Sequence, residues 1–388
     1  MRRIISERQE ELPPSMLGKL LSVSHAPGMV SLGPGEPDFT PQPHILAAAK
    51  RALTEKQTRY TSPQGTPELR DAVVRKLLKE NKIRTTADNV LITNGATEGI
   101  LLTLMATIDP GEGVLLPDPS FLAYKPAVEV LSGTPLMVRL RETDGFQLTW
   151  EDLERAILPE KTNVLILNTP GNPTGVVFSK KVLEEIADFA VEYDLLIVAD
   201  EVYEKFVYAN QKHISIGSLN GMQNRVVTIN SFSKTYGMPG FRVGYLTGPE
   251  KFINSMTKLH IFSSICAGSV SQAAALAALR GPQKAIPRIV RDYDKRRKEM
   301  VRRVNTMPGL RCREPGGAFY VFVNCSKIAK HSYPFAQNLL TKAKVAVVPG
   351  IEFGRGGEGF IRLSYATAPQ LIRKGLDRME DFLMRRRT

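Results

Sequence analysis

Apolar residues fall into short runs broken by turn chemistry, and the runs alternate with stretches of helical spacing. Val30-Ser31-Leu32 leads into a Gly/Pro turn over 33–39, which reads as a strand end and a tight loop. Ile45, Ala48, Ala49 and Leu53 recur on one face and predict a helix over His44–Thr54. Thr66-Pro67 opens another, with Thr66 as N-cap, running to about Asn81. Strands follow at Val90–Thr93, Gly113–Leu116, Pro135–Leu140, Asn163–Asn168, Leu195–Asp200, Val226–Ile229 and Arg242–Leu246. Between them the pattern predicts helices from about Gly95 to Ile108, over Ala123–Val130, over Glu151–Ile157 after Thr149, and over Ser179–Glu192. Such short, nearly continuous apolar strands argue for an α/β sheet covered on both faces.

Beyond about residue 250 the character changes. Lys251–Leu279 and Pro287–Met307 read as long helices. Phe319–Val323, Val345–Val348 and Phe360–Tyr365 read as strands, and Pro369–Arg385 as a closing helix. This is a small α+β unit. Residues 1–45 lack the alternating pattern and are expected to form an arm, with a short helix near Ser15–Leu21, and part of the small domain. The expected division is 1–45, a large domain over 46–280, and a small domain over 281–388, in keeping with a chain of 388 residues.

Composition narrows the function classes. The apolar runs are too short to span a bilayer and no secretion segment opens the chain, so a cytoplasmic location is expected. Three separated cysteines and five scattered histidines form neither a disulfide framework nor a metal-ligand pattern. The net charge of +13 raises nucleic acid as a partner. However, the basic residues are interleaved with glutamates and do not alternate with aromatics, so the charge reads better as favouring anionic substrates.

Several polar residues lie just past strand ends, where open α/β sheets bind ligands. Lys234, in Ser231-Phe232-Ser233-Lys234, is either a solvated strand-end amine or a nucleophile able to form a Schiff base. Asp200 ends an apolar strand and needs a partner; it serves as a cap or ion pair, or fixes a protonated ligand nitrogen, with Tyr203 three residues on. Asn172 is turn chemistry or a ligand contact. Gly95-Ala96-Thr97 opens a helix with free N–H groups, a seat for phosphate that Ser231, Ser233 and Arg242 can complete. Arg362 is an edge-strand surface arginine or a carboxylate clamp. A Walker lysine-serine motif and a spaced GxGxxG are both absent from the sequence.

Taken together, GEPDF at 35–39, YTSPQG at 60–65, NTPGNPTG at 168–175, DEVYEKF at 200–206, SFSKTYGMPGFRVGY at 231–245, GGAFY at 316–320, VVPG at 347–350 and RLSYA at 362–366 resemble the class I/II pyridoxal-phosphate aminotransferases of fold type I. The likeness runs almost end to end and is greatest to thermophilic archaeal and bacterial aspartate or aromatic enzymes. It implies a large, mostly parallel-sheet domain plus a small α+β domain built from both chain ends. It also implies a homodimer with shared active sites acting on amino acids and 2-oxo acids by a ping-pong route.

Carried over, Lys234 is the Schiff-base lysine and proton carrier, and Asp200 pairs with the pyridine nitrogen. Asn172 and Tyr203 hold the ring oxygen, and Phe121 stacks on the ring. Ala96, Thr97, Ser231, Ser233 and Arg242 take the phosphate, with Tyr60 reaching that of the neighbouring subunit. Arg362 clamps the substrate carboxylate, helped by the Gly35 N–H and Asn172. No metal is implied.

Three departures stand out: Phe121 where tryptophan is frequent, the segment Tyr236–Phe241, and Ala96, which lacks a hydroxyl. L-Aspartate with 2-oxoglutarate is the expected pair. Aromatic amino acids and alanine are alternatives, and a β-lyase is a more distant one. Pocket candidates are Ser15, Met16, Leu17, Tyr60, Phe121, Ile261 and Phe262. A regulator of this likeness carries an extra N-terminal DNA-binding domain, for which the roughly 30 residues before Leu32 leave no room.

Overall fold

A computed structural model describes residues 5, 6, 18 and 26–385. Of the helix expected near Ser15–Leu21 only Gly18 is described, and the pocket candidates Ser15, Met16 and Leu17 lie outside the described residues.

A seven-stranded sheet forms the large domain. Its strands are β2 (Val90–Thr93), β3 (Gly113–Asp118), β4 (Thr134–Arg139), β5 (Thr162–Asn168), β6 (Leu196–Asp200), β7 (Val226–Ser231) and β8 (Gly244–Thr247). The order is β2-β8-β7-β6-β5-β3-β4. Only β8 runs against its neighbours, so the other six strands end on the same edge. Strands β2, β3, β6 and β7 are buried at every position, because helices cover both faces. The side chains of β3, β6 and β7 divide between the core beneath Phe189 and Leu183 and that beneath Ile100 and Met256, while Val90 and Ile92 of β2 pack with Leu69 and Val73.

In the small domain, β9 (Arg311–Cys312), β10 (Tyr320–Asn324), β12 (Val348–Pro349) and β13 (Phe360–Ser364) form an antiparallel sheet in the order β12-β13-β10-β9. The first strand of the chain, β1 (Val30–Ser31), pairs in parallel with β11 (Val345–Ala346). The N-terminal segment therefore joins the small domain, as its lack of alternation implied. No helix among the described residues is long and apolar enough to cross a membrane.

Several sequence expectations need correction. The stretch 251–279 is two helices, Glu250–Ser263 and Ser269–Arg280. The break has a local cause: Ser264 Oγ donates to Glu98 Oε1 at 2.7 Å and accepts from Asn94 Nδ2 at 3.2 Å, and Ile265 turns into the left-handed region at φ 64°. Tertiary hydrogen bonds thus stop a helix that the sequence would continue. Residues 345–348 are split between two sheets, with Val347 as the crossover. Thr66 makes no side-chain cap; its N–H donates instead to Gln272 Oε1 at 2.8 Å. The helix it precedes is regular over Pro67–Lys76 and widens into a π turn over Leu77–Asn81. Thr149 does cap, accepting from the Asp152 N–H.

Candidate active site

The sheet edge delivers its chemistry in sequence. β6 ends on Asp200, and β7 ends on Ser231. Lys234 therefore sits not on the strand but on a one-turn helix, Phe232–Thr235, capped by the Ser231 side chain. β5 feeds the turn that holds Asn172. There the Asn172 N–H donates to Asn168 Oδ1 at 2.8 Å, and Asn168 Nδ2 donates to the Asp200 carbonyl at 3.0 Å. β2 leads into the helix Ala96–Thr107, whose cap is Gly95 at φ 93°. No side chain caps this helix, so its first N–H groups are open to an anion.

Glycine is needed at two points here. A Cβ on Gly95 would stand 2.7 Å from Arg242 Nη2, and one on Gly244 would stand 2.9 Å from the Ala96 nitrogen. Arg242 is not on β8 as expected. It lies in the left-handed region at φ 48°, closing the turn Pro239–Phe241, and Nη1 donates to the Pro239 carbonyl at 2.9 Å.

Asn168, Asn172, Asp200, Ser231, Lys234 and Arg242 line one cavity of about 450 Å³, together with Gly35, Ala96, Thr97, Phe121, Tyr203, Ser233 and Arg362. Of the described residues singled out from the sequence, Tyr60, Gly95, Ile261 and Phe262 lie away from its lining; Tyr60 is 78% exposed. Ser231 Oγ donates to Ser233 Oγ at 2.9 Å, which puts two hydroxyls side by side near the helix start.

Arg362 is no surface residue. β13 is an inner strand of its sheet, and Arg362 is 3% exposed. Its Nη1 donates to Asn172 Oδ1 at 2.9 Å and its Nη2 to the Gly33 carbonyl at 2.5 Å, while Nε is buried without a partner. Its guanidinium carbon lies 4.3 Å from the ring centre of Tyr320 and 4.9 Å from that of Phe353. Gly35 presents its carbonyl to Lys234 Nζ at 2.5 Å.

Three residues were missed in the sequence. Tyr124 Oη donates to Asp200 Oδ2 at 2.6 Å, and its ring meets the edge of Phe121 at 5.5 Å. Its helical spacing of three from Phe121 was the available signal. Tyr320 pairs its hydroxyl with that of Tyr203 at 2.8 Å. Phe353 comes from a loop that carries no pattern of its own.

Charge in the cavity is tuned by burial. Burial raises Asp200 to about 6, against the lowering pull of the Tyr124 hydroxyl, the Val202 N–H and Lys234. Burial likewise lowers Lys234 to about 8, with Arg362 adding to the shift and Asp200 opposing it. At pH 7 about a tenth of such an amine is free, against about one part in three thousand for an ordinary lysine. The rate at which cofactor-free protein takes up an aldehyde at Lys234 should therefore rise with pH from 6.5 to 8.5 and level off above. Stopped-flow absorbance with pyridoxal phosphate checks this, and a rate flat across that range would contradict it.

Behind Asp200 lies a second cluster. The ligand atoms of Glu201, Glu204 and His213 come within 4.8 Å of one another. Lys76 Nζ already bonds to Glu204 there and donates to Asn81 Oδ1 at 2.7 Å, while Ser215 Oγ donates to Glu201 Oε1 at 2.6 Å. Burial opposes ionisation of Glu204, but Lys76, Lys205 and His213 hold it at about 2. A buried ammonium thus occupies this cluster, and the cluster anchors the segment that carries Asp200.

The family model for aminotransferase class I and II matches residues 27–379. The chain belongs to this family. It is 43% identical to the aspartate aminotransferase of Pyrococcus abyssi, over 98% of each chain. It is also 43% identical to aromatic-amino-acid aminotransferase 2 of Thermococcus litoralis, again over 98% of each. Among solved structures, the aromatic aminotransferase from Pyrococcus horikoshii superposes with a TM-score of 0.91 at 41% identity, covering 96% of this chain and 99% of that one. The protein is a pyridoxal-phosphate-dependent aminotransferase of fold type I.

The aminotransferase cavity fits that cofactor. It offers an open helix N-terminus kept clear by Gly95, two adjacent hydroxyls and a guanidinium for a phosphate. It also offers a buried carboxylate for a ring nitrogen and an amine with a depressed pKa for an aldehyde.

Proposed function

We propose that this aminotransferase moves the amino group of L-aspartate to 2-oxoglutarate, giving oxaloacetate and L-glutamate in two ping-pong half-reactions. The observation that carries the site reading is the buried, fork-like Arg362, held beside Asn172 in the same cavity as the Lys234 amine.

Pyridoxal phosphate, when bound, supplies the electron sink for charge released at the substrate α-carbon. The chain does the rest. Arg362 grips the α-carboxylate in a bidentate manner, with Asn172 and the Gly35 N–H beside it, and so orients the Cα–H bond. Lys234 Nζ would take the α-proton and hold it for return in the transfer. Asp200, ordered by Tyr124, would keep the ring nitrogen protonated and charged. Asn172 and Tyr203 would hold the ring oxygen, and Phe121 would pack against the ring. Ala96 and Thr97 N–H groups, Ser231, Ser233 and Arg242 would hold the phosphate.

We further propose a homodimer in which Tyr60 enters the site of the partner subunit. The exposure of Tyr60 and of Phe262, which is 90% exposed, supports this reading. The boundaries at residues 45 and 280 are proposed with it.

The aspartate reading is supported by the Pyrococcus abyssi relative. A second reading, aromatic amino acids, is favoured by the apolar wall of Pro34, Ile100, Phe121 and Leu122 and by the Thermococcus litoralis relative.

Arg362→Lys tests the clamp. Losing the fork should raise KM for every amino donor by about 10- to 100-fold with a smaller change in kcat. Steady-state kinetics check this, and an unchanged KM would remove Arg362 from the substrate site.

A further inference from the structure

Tyr320 lies at the meeting point of the proposed carboxylate clamp and the proposed cofactor contacts. It is on β10, opposite Ser364, while Phe322 is opposite Arg362. Tyr320 and Arg362 are therefore diagonal neighbours on one face of the antiparallel pair. The ring of Tyr320 supports the guanidinium at 4.3 Å, and its hydroxyl is 2.8 Å from that of Tyr203. The contact with Gly35 is equally tight: a Cβ on Gly35 would stand 2.5 Å from Tyr320 Oη. Gly35 in turn presents its carbonyl to Lys234. Tyr320 itself is almost fully buried.

We propose that Tyr320 is a positioning residue for both halves of the site: its ring fixes the plane of the Arg362 fork, and its hydroxyl donates to Tyr203 so that the Tyr203 hydrogen is free to donate into the cavity. The proposal rests on the reading of Arg362 as clamp and Tyr203 as contact to the ring oxygen. The first part follows from geometry. A guanidinium rotates freely about its stem unless its faces are covered, and here Tyr320 and Phe353 both contact it while Asn172 and Gly33 hold its edge. The second follows from hydrogen counting. Two hydroxyls in contact share one proton donor, so Tyr203 can donate to a ligand only if Tyr320 donates to Tyr203. That arrangement also polarises Tyr203 and strengthens its outward bond.

The experiment compares the holoenzymes of wild type, Tyr320→Phe, Tyr320→Leu, Tyr203→Phe and Arg362→Leu. Each is assayed for KM and kcat with the amino donor that wild type turns over fastest, and each is titrated with pH at the visible band of bound pyridoxal phosphate. Tyr320→Leu should raise KM about 10-fold with a smaller loss of kcat, and Tyr320→Phe, which keeps the ring, should restore KM to within about 3-fold of wild type. Tyr320→Phe should nevertheless move the spectral midpoint upward by about 0.5 unit, in the same direction as Tyr203→Phe but by less. A Tyr320→Leu enzyme with wild-type KM, or a Tyr320→Phe enzyme with a wild-type midpoint, would overturn the corresponding half of the proposal. If Arg362→Leu leaves KM unchanged, or Tyr203→Phe leaves the midpoint unchanged, the underlying site reading fails instead.

Discussion

Replacing Lys234 with alanine should lower turnover by about four orders of magnitude while leaving pyridoxal phosphate able to bind. The size follows from the tasks assigned to one atom. In the proposed mechanism Lys234 Nζ captures the cofactor carbonyl and moves the α-proton, and removal of a positioned acid–base group alone costs about 10²- to 10⁴-fold. The residues proposed to bind the cofactor are separate from it. The helix start at Gly95, the hydroxyls of Ser231 and Ser233, Arg242 and Asp200 are all held by the sheet edge and its turns. Pyridoxal phosphate should thus remain bound but without its Schiff-base absorbance. Single-turnover kinetics and equilibrium dialysis check the two halves. Turnover near wild type would remove Lys234 from the reaction.

Asp200→Asn should be the second most damaging change, and it should act in opposite directions on catalysis and on stability. The carboxylate is buried and raised to about 6. In the unfolded chain it would ionise near its ordinary value of 3.8, so between these values the folded state binds more protons. Its ionisation therefore weakens folding as pH rises through that window, by on the order of 3 kcal/mol once the window is passed. Asparagine keeps the shape and still accepts from Tyr124 but carries no charge. Cofactor-free Asp200→Asn should consequently melt at a higher temperature than wild type at pH 8. Its kcat should fall by about 10²- to 10³-fold, the usual cost of removing a preorganised charge partner. Thermal unfolding and steady-state kinetics measure both. A variant that melts lower, or that keeps its turnover, would show that Asp200 is a structural acid.

Much of the candidate site was readable along the chain because several of its residues lie at or just past strand ends. Asp200, Ser231 and the Asn172 turn close apolar runs that are legible as strands, and a parallel sheet puts such ends together. What the sequence could not show came from across the fold. Tyr124 and Tyr320 act through hydroxyls whose partners, Asp200 and Tyr203, are 76 and 117 residues away. Arg362 reads equally well as an edge or an inner residue until β10 and β12 are seen on either side of its strand. The helix break at 264–268 carries no sequence signal except Gly268, because its cause is Glu98. The Lys76 cluster behind Asp200 joins two segments, around 76–81 and 201–215, that give no local hint of meeting.

The most direct measurement is a single-turnover titration of the holoenzyme with one amino acid at a time and no oxo acid present, following loss of the visible cofactor band. The account predicts fast bleaching by L-aspartate and L-glutamate and slower bleaching by L-tyrosine and L-alanine. Fastest bleaching by L-phenylalanine or L-tyrosine would contradict the aspartate reading, and a protein that shows no visible band after incubation with pyridoxal phosphate would contradict the assignment of Lys234 and its cavity.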